Sequence, residues 1–143
     1  MKNSWLFIGM ALGALAMLGA VGGPSGSGDL STLQGTWKGA EIGRPGPGPA
    51  TLIISSNKLE FRGADTNEWY KATIVLHEDT SPRQLIAVVT DCPAPPYVGK
   101  TANAIYRLEG KALRLSGNEP GEATMPTAFD SPGARQFLFQ PEK

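Results

Sequence analysis

The stretch Thr101 to Ser116, TANAIYRLEGKALRLS, decides the fold class. Ala104, Tyr106 and Leu108 alternate with Asn103, Arg107 and Glu109, and after Glu109-Gly110 the alternation resumes with Leu113 and Leu115 against Arg114. Period-two alternation puts one face of a strand in a core and the other in water. Glycine at 110 supplies the positive φ that a tight hairpin needs, so the two strands are antiparallel neighbours.

The same pattern recurs on either side. Leu59 and Phe61 oppose Lys58, Glu60 and Arg62, while Tyr70, Ala72, Ile74 and Leu76 oppose Trp69, Lys71, Thr73 and Val75. Strands are expected over Thr36–Ile42, Ala50–Ser55, Lys58–Arg62, Glu68–His77, Arg83–Thr90, Thr101–Glu109, Ala112–Ser116 and Arg135–Gln140. No segment after Gly28 carries a long 3.6-residue apolar period. Before the first strand, Asp29 or Ser31 can cap a single helical turn. An open sheet of this many short antiparallel strands would leave bare edges, so the expected fold is all-β, closed as an eight-stranded up-and-down barrel.

The chain has 143 residues, with Gly 18 and Pro 12 together about one residue in five. The hydrophobic share of 41% is enough to bury a core. Thirteen basic and 13 acidic residues cancel, so there is no electrostatic case for nucleic acid or an anionic membrane surface. One cysteine excludes an internal disulfide and a cysteine zinc cage, and one histidine excludes any site needing two.

The amino terminus has a short basic start at Lys2 and an uncharged run of 17 residues, Trp5 to Val21. Small residues follow at Ala20 and Gly22, the pattern of a secretory signal peptide with cleavage after Gly22. The run is short for a span of about 20 residues. An uncleaved anchor is the other reading, and the only route by which the chain would meet a membrane. Residues 1–22 are therefore read as the signal peptide, 23–28 (GPSGSG) as a flexible linker, and 29–143 as one barrel domain. Export to a bacterial periplasm, to the cell envelope or to the medium follows.

Three separated pieces resemble a known family. They are Leu33-Gln34-Gly35-Thr36-Trp37-Lys38; Gly99-Lys100-Thr101 with Ile105 to Leu115; and Glu119-Pro120-Gly121 with Pro126-Thr127, Phe129 and the closing Phe137-Leu138-Phe139. Their order and spacing resemble the lipocalin-like (calycin-type) β-barrel domain of uncharacterised exported proteins from planctomycetes and verrucomicrobia. The resemblance implies a lipocalin-like barrel from about Asp29 to Gln140 and no established activity. It further implies a floor built on Gly35 and Trp37, with a basic residue after the last strand stacked on the tryptophan. The start of the first strand lies beside the end of the last, which favours Lys143 over Arg135 as that residue.

An eight-stranded barrel is filled by its side chains or holds one small ligand. The expected inward set includes Trp37, Leu52, Ile54, Leu59, Phe61, Tyr70, Ile74, Leu76, Ile86, Val88, Tyr106, Leu108, Leu113, Leu115, Phe137 and Phe139. Of these, Tyr70, Tyr106, Phe61, Phe137 and Phe139 are the candidate interior binding residues. The connections at 43–49, 91–100 and 117–133 follow odd-numbered strands and meet at one rim, where Arg44, Tyr97 and Met125 are candidate contacts.

Other motifs carry less. Gly99-Lys100-Thr101 lacks the upstream glycine and following helix of a phosphate loop. His77-Glu78-Asp79 reads as a solvated strand end, Cys92 as an inert buried thiol, and no cofactor or metal is expected. A nucleophile, base and orienting group cannot be assembled from one histidine and scattered carboxylates, with Glu41, Glu60 and Asp91 as the residual candidates, so the chain reads as a non-enzyme. Two functional expectations stand: a binding module for a small, mostly apolar ligand, or a filled barrel that docks or inhibits a protein through its rim loops. An apolar chamber of roughly 300 Å³ or more favours the first.

Overall fold

The structure, a computed structural model, describes residues 28–43 and 48–142. A four-residue helical turn, α1 (Asp29–Thr32), comes first. Its N-cap position is Gly28, which makes no side-chain cap, rather than the expected Asp29 or Ser31.

The segment from Gln34 onward is an all-β unit. Its strands are β1 (Gly35–Ile42), β2 (Pro49–Ser55), β3 (Lys58–Arg62), β4 (Trp69–His77), β5 (Arg83–Asp91), β6 (Thr101–Glu109), β7 (Ala112–Gly117) and β8 (Arg135–Pro141). Each pairs antiparallel with its neighbours, and β8 returns to β1, giving a closed up-and-down barrel. A single 3-10 turn, Pro95–Tyr97, lies between β5 and β6.

Local chemistry explains the connections. Gly110 turns β6 into β7 at φ 62°, and Ser56 turns β2 into β3 at φ 57°. The Gln34 side chain braces the second turn, accepting from the Ser56 N–H at 2.7 Å and donating to its carbonyl at 2.9 Å. Closure depends on Gly39, where any Cβ would collide with the Leu138 carbonyl of β8.

Strand parity defines the interior. Trp37, Leu52, Ile54, Phe61, Ile74, Tyr106, Leu113 and Phe139 are buried as expected. In β5 the expected phase is reversed. Leu85, Ala87 and Val89 are buried, whereas Ile86 is only half-buried and Val88 is 41% exposed. The run Leu85–Val89 is apolar at every position, so its own alternation selects neither face, and pairing of Leu85 with Leu76 and Ala104 sets the phase. Leu76 and Leu108, near strand ends, are half-buried.

The long β7–β8 connection does not stand on the rim throughout. It runs beside β6, with Asn118 and Gly121 donating to the carbonyls of Asn103 and Thr101, both at 2.9 Å. It then folds over the outer face of β6 and β7. The Asn103 amide donates to the Ala123 carbonyl at 3.2 Å, Ser116 Oγ donates to the Phe129 carbonyl at 2.8 Å, and the Arg107 guanidinium lies 4.9 Å from the Phe129 ring centre. Beneath this strap, the outward-facing Ile105 and Ser116 have no exposed surface.

Candidate functional site

The barrel interior is packed at one end and open at the other. At the end where β1 starts and β8 finishes, Trp37, Tyr106, Leu113 and Phe139 fill the interior. Toward the other end a cavity of about 310 Å³ lies against β3 to β8 and reaches the β3–β4, β5–β6 and β7–β8 connections. That volume is at the lower bound of ligand pockets and would admit about ten waters.

Small side chains create the space. Ala87 and Ala102 face each other across β5 and β6, and Ala104 faces Gly117 across β6 and β7; all four line the cavity. The opposite wall is aromatic. The Phe61 ring lies 5.5 Å from that of Tyr70 and 5.2 Å, edge-on, from that of Phe137. Phe137 in turn stacks on Phe139 at 5.8 Å.

Charge gathers at the mouth. Arg135 Nε and Nη2 donate to the two carboxylate oxygens of Glu41 at 3.0 and 2.9 Å, and Nη2 also reaches Glu68 at 2.7 Å. Glu41 follows Trp37 and Gly39 on the inward face of β1, Glu68 precedes Tyr70, and Arg135 precedes Phe137, so parity turns all three inward. The Glu41 hydrogen bond, supported by that of Glu68, holds the guanidinium firmly protonated despite its partial burial. The Arg135 guanidinium also lies 5.2 Å from the Phe137 ring centre.

Tyr70 lies deep and presents part of its surface to the cavity. Burial pushes its phenol up to about 12, partly offset by the charge of Arg135. Its hydroxyl has no hydrogen-bond partner among the described residues. Tyr97, on the 3-10 turn, has its phenol raised by the neighbouring Glu119 charge. Cys92 lines the mouth half-buried, with Sγ donating to the Ala94 carbonyl at 3.0 Å.

Of the residues expected from sequence, Phe61, Tyr70, Phe137 and Tyr97 come together around the cavity. Tyr106 and Phe139 are buried at the packed end, outside the lining. Met125 belongs to the strap and does not line the cavity. Gly35 opens β1 at φ 113°, and Trp37 is buried opposite Pro141 of β8. Arg44, Lys143 and the expected signal segment 1–22 lie outside the described residues, as does all of the expected linker except Gly28. Sequence reasoning missed Glu68, Arg135 and the alanines as site formers; for the two charged residues, parity with Tyr70 and Phe137 was the available signal.

No protein-family model, curated protein or solved structure matches the chain. Fold and site together define a small closed antiparallel barrel with an interior cavity, an aromatic wall and a charged mouth.

Proposed function

We propose that the chain is an exported, non-catalytic, lipocalin-like binding module that carries one small, mostly apolar ligand in the open end of the barrel. The observation carrying this reading is the cavity of about 310 Å³ with its walls of Phe61, Tyr70, Phe137 and alanine. Apolar walls with a few polar tips are the usual makeup of a small-molecule pocket. Export rests on the charge pattern of residues 1–22. The alternative, a filled barrel docking proteins through its loops, is weaker because a cavity of about 310 Å³ leaves interior space unfilled.

The test is native mass spectrometry of protein purified from its source, with Nile red uptake as a second readout. A bound adduct and saturable dye fluorescence are expected. Persistent absence of both would remove the proposal.

A further inference from the structure

Resting on that reading, we infer that the ligand is an organic cation: an amine or quaternary ammonium on an apolar body, with its charge at the mouth and its carbon skeleton along the Phe61–Tyr70–Phe137 wall.

Three observations support this. The charged residues lining the cavity are Glu68, Glu119 and Arg135 among the described residues. Arg135 is already engaged by Glu41 and Glu68 through three contacts of 2.7 to 3.0 Å. The lining therefore carries two carboxylates and one guanidinium, a net negative charge. Lys100, at the same rim, directs its aliphatic stem toward Gly121 and is not part of the lining.

An anionic ligand would have to take Arg135 from its partners. The Glu41 side chain is only 11% exposed, and stripping its counter-ion would leave a carboxylate in a poorly solvated place. An ammonium group leaves the Glu41–Arg135 pair in place and adds a positive charge beside Glu68, which also faces Arg135, and Glu119, which also holds the Tyr97 phenol. Aromatic faces attract cations once water is excluded. This wall already takes one, since the Arg135 guanidinium lies over Phe137 at 5.2 Å, and the rings of Phe61 and Tyr70 extend the same surface inward.

The experiment uses the full chain and three probes with the same tail, decyltrimethylammonium, decanol and decanoate, each below its micelle threshold. Displacement of Nile red is read at neutral pH. The ammonium is expected to bind about tenfold more tightly than the carboxylate, with the alcohol between them. Glu119→Gln and Glu68→Gln should each shrink that gap by about threefold. Glu119 is outside the Arg135 network, so its variant remains readable if Glu68→Gln fails to fold. Decanoate binding as tightly as the ammonium, or an unchanged gap in Glu119→Gln, would overturn the charge assignment while leaving the cavity reading intact. Failure of all three probes to displace the dye would overturn both.

Discussion

Replacing Ala104 by leucine separates an empty chamber from a packed one, because the two predict opposite signs for stability. Ala104 faces the cavity beside Gly117, whose missing side chain leaves room, and is 7% exposed. Leucine adds three carbons. If they enter free space, burial at about 0.8 kcal/mol per methylene gives an upper bound of about 2.4 kcal/mol of added stability. Rotamer ordering and the cost of displacing water reduce this, so the expected change lies between zero and about 2 kcal/mol of stabilisation. At about 4 °C per kcal/mol the melting temperature should stay level or rise by up to about 8 °C. The same side chain would occupy a substantial part of the 310 Å³, so Nile red affinity should fall at least about tenfold. Thermal unfolding by circular dichroism and dye titration on one preparation give both values. A packed interior would instead lose about 1–3 kcal/mol to overpacking. A lowered melting temperature with unchanged dye binding would refute the account of how the alanines open the barrel.

Three further outcomes follow from particular contacts. Tyr70 keeps its proton to about pH 12 when folded, against an ordinary value of 10.0, so the unfolded chain releases this proton first as pH rises. Stability should hold below pH 10 and fall by about 2–3 kcal/mol through that window, and urea titrations of Tyr70→Phe should lack this part of the loss. Gly39→Ala forces a Cβ into the Leu138 carbonyl and should destabilise by about 1–3 kcal/mol or more, read as a lower urea midpoint with an unchanged slope. Arg135→Met removes the guanidinium that holds both Glu41 carboxylate oxygens and should cost about 1–3 kcal/mol, discounted from a fully buried pair because Arg135 is 35% exposed. Adding Glu41→Gln should restore most of that loss, and purely additive effects in the double-mutant cycle would contradict the coupling.

Strand positions were readable in the sequence to within a residue or two, because alternation and turn residues are local signals. Gly110 marks its hairpin as expected, and Ser56 turns the β2–β3 hairpin in the same left-handed conformation. The phase of β5 was not readable, since Leu85 to Val89 is apolar on both faces and only cross-strand register chooses between them. Where the cavity sits depends on which small residues meet across strands. The pairs Ala87–Ala102 and Ala104–Gly117 are brought together by pairing far along the chain. The strap left one trace, Ile105 on an otherwise polar face, whose complete burial requires a cover outside the barrel. The mouth charges went unread although parity places them: Arg135 keeps step with Phe137, and Glu68 with Tyr70.

β1 begins and β8 finishes side by side at the packed end, where the Glu142 N–H donates to the Thr36 carbonyl at 2.8 Å and Trp37 sits opposite Pro141. The first residue of β1 and the last of β8 therefore lie at the pole remote from Glu68, Tyr97 and Glu119. Immobilising the barrel through a linker placed after β8, on a bead or a fusion partner, would orient its aperture outward.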